Sequence, residues 1–274
     1  MAFSSAGRGP AARVALTRKV SPALARCELT HLPREPIDVA IAGRQHEAYE
    51  RALADLGFRV ESLPAEPDLP DSVFVEDAAV VLEELAVITR PGAPSRRAEI
   101  ASVASALEPY RAIAWIGPPG TLDGGDVLVV GRRVWVGRSA RTNENGALQL
   151  RAQLAPFGYE TSDVPVRDCL HLKSAVTRVG EEQVLVNPSW VDERIFHGLR
   201  IVHVDPAEPF AANALLAGDG VIVPAAHPRT RARLEAEGAH TVALDVSEIA
   251  KAEGGVTCCC LLFEGWVAAG SRSG

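Results

Sequence analysis

Residues 126–150, DVLVVGRRVWVGRSARTNENGALQL, set two apolar runs (127–130 and 134–136) on either side of Gly131-Arg132-Arg133 and follow them with a stretch that turns helical near Asn145. Short apolar runs around a glycine-containing turn read as a β-hairpin, and apolar residues returning three and four positions apart read as a helix. The same order recurs in residues 77–99 (DAAVVLEELAVITRPGAPSRRAE), 174–196 (SAVTRVGEEQVLVNPSWVDERIF) and 213–238 (NALLAGDGVIVPAAHPRTRARLEAEG). Single strands such as 161–166 and 241–246 complete each unit as strand, strand, helix, strand. The copies lie roughly 40–50 residues apart, the mark of a repeat array. After Glu253 the pattern restarts as GGVTCCCLLFE (254–264) and stops before any turn or helix. The missing half stands at the other end, where VALTRK (14–19) precedes QHEAYERALADLGFRVESLP (45–64). The last strand therefore completes the first unit. Units that cannot bury an apolar face alone must stack, and an array with complementary ends closes into a ring. The expected fold is α/β: five units around an axis, helices outside, closed by pairing of the N- and C-terminal segments.

Composition supports a single folded body. At 274 residues the chain has room for one or two domains, but the repeat runs without a linker-like break. Residues 1–13 are expected as a disordered tail, 14–265 as one catalytic domain and 266–274 as a C-terminal tail. The first thirteen residues contain no apolar stretch of a targeting signal, and no later run reaches the ~18 residues of a membrane span. A net charge of −7 argues against a nucleic-acid partner, which calls for a basic face. Five cysteines, three of them consecutive at 258–260, do not form a secreted disulfide framework, so reduced thiols and a cytoplasmic location are expected.

The residues that open the first strand of each unit face the axis of such a ring. They are Asp71, Glu76 and Asp77 in one unit, Asp123 and Asp126 in the next, then His171, Asn213 and Cys258. A thiol, an imidazole and several carboxylates meeting in one cavity are the inventory of a cysteine nucleophile with a histidine acid/base acting on a cation. Each member has a plainer reading alone: Cys258 as a core thiol, His171 between two leucines as a core histidine, Asp71 and Asp123 as turn formers. Glu76 and Asp77 close an apolar run and need a partner wherever they are buried. Gly254-Gly255 before Cys258 marks a close backbone approach, and in an alternating strand Cys258 and Cys260 share a face. Adjacent cysteines lack the usual spacing of zinc ligands, so no metal is expected.

The runs DSVFVEDAAVV (71–81), ITRPGAPSRRAE (88–99), TLDGGDV (121–127), VGRSARTNENGA (136–147), LHLKSAV (170–176) and GGVTCC (254–259) together resemble the dimethylarginine dimethylaminohydrolases of the guanidino-group modifying superfamily. The resemblance spans 14–263. It implies a five-bladed α/β propeller with pseudo-fivefold symmetry. It implies hydrolysis of asymmetric dimethylarginine and monomethylarginine to citrulline, with Cys258 as nucleophile, His171 as general acid/base and Asp123 as the acidic third member. Glutamate stands at the comparable place in some relatives. Asp77 and Asp123, with Glu76 beside them, are expected against the guanidinium. Arg96 and Arg141 are expected on the substrate carboxylate, where a forked donor outperforms lysine. Asp71 would hold the α-amino end or orient an arginine, Leu29 would belong to a lid, and the main chain of Ala252 would touch substrate. No cofactor is called for, the partner is a small guanidino compound, and a homodimer is allowed. The open alternatives are an arginine deiminase or related guanidino hydrolase, and a ring that only binds.

Overall fold

The computed structural model describes residues 8–268, with side chains placed for 12–265. Its first blade combines β1 (Arg8–Arg18) and, after the helix α1 (Val39–Asp55), β2 (Arg59–Leu63). The second holds β3 (Ala79–Val81), β4 (Leu85–Ile88), α2 (Ile100–Leu107) and β5 (Ala112–Trp115). The third holds β6 (Val127–Val130), β7 (Arg133–Arg138), α3 (Glu144–Leu154) and β8 (Glu160–Pro165). The fourth opens on a single helical turn, α4 (Leu172–Ala175), before β9 (Val176–Gly180), β10 (Gln183–Val186) and β11 (Arg200–His203). The fifth holds β12 (Leu215–Ala217), β13 (Gly220–Pro224), α5 (Pro228–Ala236) and β14 (His240–Leu244). A short α6 (Ser247–Ala250) then leads to β15 (Leu261–Ala268).

Each of the five sheets has three strands in one arrangement. The middle strand pairs antiparallel with its hairpin partner and parallel with the strand that returns after the crossover, as in β3-β4-β5 and β6-β7-β8. In the first blade the hairpin partner is β15, antiparallel to β1 with Val14 opposite Phe263 and Leu16 opposite Leu261. The termini thus close the ring, a five-bladed α/β propeller. A three-stranded sheet of mostly three to six residues per strand has little apolar face of its own, so each blade buries its face on the next. One cluster joins Val14, Leu16 and Phe263 to Ala79, Ile88 and Leu107; another joins Leu128 and Trp135 to Val176, Val184 and Phe196.

Three expectations change. Residues 8–13 and 266–268, assigned to tails, extend β1 and β15, with Ala11 opposite Trp266 and Arg8 opposite Ala268; antiparallel backbones go on pairing past the core because the ladder needs no buried side chain. Residues 1–7 and 269–274 lie outside the described part. In the fourth blade the expected helix is only a 3₁₀ turn, Glu193–Phe196, since Pro188 stands two residues past the end of β10 and too few residues remain before β11. Cys258 precedes its strand, lying in a turn while β15 starts at Leu261, so the alternation argument for Cys258 and Cys260 does not apply. Among the described residues no helix is long and apolar enough to cross a membrane.

Candidate active site

Five equivalent turns, each entering the first strand of a blade, converge at one end of the ring. They carry Glu76 and Asp77 before β3, Asp123 before β6, His171 before β9, Asn213 before β12, and Thr257 and Cys258 before β15. One cleft is lined by Asp71, Asp77, Arg96, Arg141, His171, Ala252 and Cys258, joined by Glu28, Phe74, Leu170, Glu253 and Gly254. Close packing of the turns requires glycine. A Cβ on Gly125 would stand 2.8 Å from both His171 Nδ1 and Asp77 Oδ1, and one on Gly255 would run into Asn213.

Buried charge is organised as a network. Asp77 accepts from Arg96 Nη1 (2.6 Å) and from the Gly125 amide (3.0 Å), and its other neighbour, His171 Nε2, lies 3.9 Å away. Arg96 also donates to Glu99 (2.9 Å) and to the carbonyls of Asp71 and Phe74. His171 Nε2 lies 3.1 Å from Asp123 Oδ2, whose other oxygen accepts from the Gly92 amide (2.8 Å). Burial opposes charge on His171, but Asp77, the Asp123 hydrogen bond and Asp126 overcome it and hold the imidazole up at about 9. Burial also opposes charge on Asp77, yet His171 and Arg96 bring it well below the usual carboxylate range. The Cys258 thiol is pushed up to about 12 by burial and by the Glu76 and Asp77 carboxylates, with a weak opposing contact from Thr257 Oγ1 at 3.7 Å.

Several expected residues sit differently from their expected place. Asp123 is 0% exposed and is absent from the cleft lining; it lies against the His171 imidazole, the place of the acidic third member, with the Arg141 guanidinium farther off at 3.8 Å. Glu76 turns away from the cleft: its carboxylate accepts from Lys173 Nζ (2.6 Å) and Thr257 Oγ1 (3.0 Å), while its amide donates to the Cys258 carbonyl (3.1 Å). Leu29 is half-buried against the hydrophobic cluster that includes Leu24 and Phe74; its neighbour Glu28 lines the cleft. Arg96 reaches the cleft with its donors already engaged, whereas Arg141 is held loosely, 3.0 Å from the Thr30 hydroxyl and 3.8 Å from Asp123. Asp71 accepts from the Glu28 amide (3.1 Å), and burial raises its carboxyl.

Other roles emerge only from the geometry. Asn213 donates to Thr257 Oγ1 (3.0 Å) and accepts from its amide (3.2 Å), pinning the turn that presents Cys258; Tyr49 of α1 donates to the Val256 carbonyl (2.7 Å) in the same turn. Glu99 follows Arg96 by three residues, a spacing that marks helical partners in sequence. Glu253, at φ 57, accepts from three consecutive amides, those of Thr30 (2.9 Å), His31 (2.5 Å) and Leu32 (2.5 Å), and so clasps the segment over the cleft. Its only signal is the glycine pair beside it. Glu253→Ala is expected to hasten tryptic cleavage after Arg34, read by mass spectrometry over a time course; an unchanged rate contradicts the clasp. Asp77, Asp123 and His171 also present ligand atoms within 4.8 Å of one another, but Arg96 and Arg141 already supply positive charge to these carboxylates.

No family model matches the chain. It is 43% identical over 245 residues to the N(G),N(G)-dimethylarginine dimethylaminohydrolase of Streptomyces coelicolor, covering 89% of this chain and 94% of that one. The enzyme of the same name from Pseudomonas aeruginosa is 37% identical over 228 residues, covering 82% and 90%. The solved Pseudomonas aeruginosa structure, a cysteine-to-serine variant complexed with citrulline, superposes with a TM-score of 0.88 at 34% identity, covering 92% of this chain and 99% of that one. A ring closed by its termini, a cleft shared by thiol and imidazole, and identity at this level over nearly the whole length lead to one conclusion: the chain belongs to the dimethylarginine dimethylaminohydrolase family.

Proposed function

We propose that the chain hydrolyses asymmetric dimethylarginine and monomethylarginine to citrulline, releasing dimethylamine or methylamine, through a covalent thiouronium on Cys258. The observation that carries this reading is one cleft lined by Cys258, His171 and Asp77, from three different blades, in a member of this family. A thiol held up at about 12 beside an imidazole held up at about 9 is, at neutral pH, a neutral thiol next to an imidazolium. A bound guanidinium adds positive charge beside Cys258 and lowers the cost of the thiolate, whose proton passes to solvent because His171 is already protonated, so substrate itself arms the nucleophile. The thiolate forms a bond to the guanidinium carbon. The imidazolium of His171 gives its proton to the substituted nitrogen, the C–N bond breaks, and the amine leaves. Water then adds to the thiouronium carbon as His171 takes its proton, and cleavage of the C–S bond returns the thiolate and leaves the ureido group of citrulline. Asp123 faces the imidazole throughout and favours its charged form.

Asp77, itself held by Arg96, would hold the guanidinium, with Arg141 on the substrate carboxylate and Asp71 and the Ala252 main chain on the α-amino end. Glu76 acts on Cys258 through its charge and its amide. Incubation with asymmetric dimethylarginine, monomethylarginine and arginine, with citrulline measured, tests the reading. Preference for the methylated compounds supports it; rapid turnover of arginine alone makes the chain an arginine deiminase.

Asp77→Asn removes the carboxylate whose charge does most to raise His171 and leaves Arg96 with Glu99 as its remaining carboxylate partner. Breaking such a buried pair costs about 3 kcal/mol. The expected outcome is a lower melting temperature together with a fall in kcat/KM of folded enzyme; wild-type kinetics in a folded variant would make Asp77 a purely structural carboxylate.

A further inference from the structure

Asp126 stands three residues after Asp123 and takes no part in the chemistry above. It is 0% exposed, and all of its acceptor capacity is directed at three groups. Oδ2 accepts from the hydroxyls of Ser139 (2.5 Å) and Thr142 (2.6 Å), and Oδ1 accepts from the Leu172 amide (2.9 Å). Each partner leads to the cleft. Thr142 Oγ1, its proton given to Asp126, accepts from the Asp123 amide (3.2 Å). Ser139 Oγ accepts in the same way from the Arg141 amide (3.0 Å). Leu172 is bonded directly to His171, whose main chain it fixes. The cradle is tight: a Cβ on Gly137 would stand 2.6 Å from Asp126 Oδ1 and 2.8 Å from Leu172 Cβ.

We propose that Asp126 is a positioning residue that sets Asp123, His171 and Arg141 from a single carboxylate, keeping the imidazole and the arginine at the other end of the substrate in register. The inference rests on the reading in which His171 and Arg141 serve the hydrolysis. An ionised carboxylate only accepts, which forces both hydroxyls to donate to it and leaves their lone pairs for the two amides. A carboxamide cannot satisfy the same set. With its NH₂ toward the hydroxyls, they must turn, spend a lone pair on it and leave their protons without this acceptor; with its NH₂ toward Leu172, two donors meet. Misplacement by about 1 Å at this remove is enough for a rate loss on the order of 10²-fold.

The branches can be cut separately, with Asp126→Asn, Thr142→Val and Ser139→Ala compared in the citrulline assay alongside melting temperatures. Thr142→Val should lower kcat by about tenfold with KM little changed, and Thr142→Ser, which keeps the hydroxyl, should restore it. Ser139→Ala should raise KM by about tenfold with kcat little changed, and Asp126→Asn should do both. Loss of stability with wild-type kcat and KM per folded molecule in all three variants overturns the proposal. NMR titration of the His171 imidazole, which faces Asp77, Asp123 and Asp126, separates this from failure of the functional reading. His171→Asn retaining turnover would refute that reading alone, while a His171 titration displaced in Asp126→Asn and Thr142→Val but not in Ser139→Ala would still support the positioning role. A titration unmoved in all three variants contradicts it.

Discussion

Cys258→Ser is expected to abolish citrulline formation, by about 10⁴-fold or more in kcat, while the chain folds as before. The variant keeps nearly the same volume in a half-buried turn held by Asn213, Thr257 and the Glu76 amide, so nothing in the packing changes. What is lost is a group that can ionise when a guanidinium arrives, since a serine hydroxyl is far less acidic and far less nucleophilic. Cys259→Ser and Cys260→Ser provide the control. Both side chains are buried and neither lines the cleft, so they retain turnover and lose stability, each by about 1–3 kcal/mol for a hydroxyl placed where a thiol packed. Kinetics and melting curves on the three variants decide the matter; full activity in Cys258→Ser contradicts it.

His171→Asn removes both the proton donor to the leaving amine and the acceptor from water, and kcat falls by about 10²–10⁴-fold. Stability responds with a defined sign. The imidazole is held up at about 9 in the fold against an ordinary value of 6.5, so the folded state binds the proton more tightly. Its contribution is fully present below pH 6.5 and is lost as pH rises through about 9. Unfolding midpoints in denaturant across that interval should fall for the wild type, and this part of the fall should vanish in His171→Asn. A wild-type slope retained in the variant would assign the pH dependence to other groups.

The ring was legible because blade closure is written in which half of a unit is missing at each terminus: residues 254–264 lack a hairpin partner and 14–19 lack the strand before them. The convergence of the cleft followed from the same periodicity, since equivalent positions in a closed array share one end of the axis. Individual roles were less accessible. Asp77 and Asp123 both precede apolar strands, and only the three-dimensional arrangement separates the carboxylate in the cleft wall from the one behind the imidazole. Glu76 is turned away by Lys173, a partner 97 residues distant that no local pattern marks. The choice of Cys258 among the three cysteines came from the resemblance, since an alternating strand would have put Cys258 and Cys260 on one face; in the structure exposure distinguishes Cys258, half-buried in its turn, from Cys259 and Cys260, both buried. The helix expected in the fourth blade fails for a local reason, the short span between β10 and β11 with Pro188 near its start, which was present in the sequence but outweighed by the regularity of the repeat.

The central claim is a covalent intermediate on one thiol. Acid-quenching the wild-type enzyme during turnover of asymmetric dimethylarginine, followed by peptide mapping by mass spectrometry, tests it most directly. The account predicts a substrate-derived thiouronium on Cys258, absent from the Cys258→Ser variant. An adduct on Cys259 or Cys260, or citrulline formed at full rate with no adduct at any time point, would contradict it.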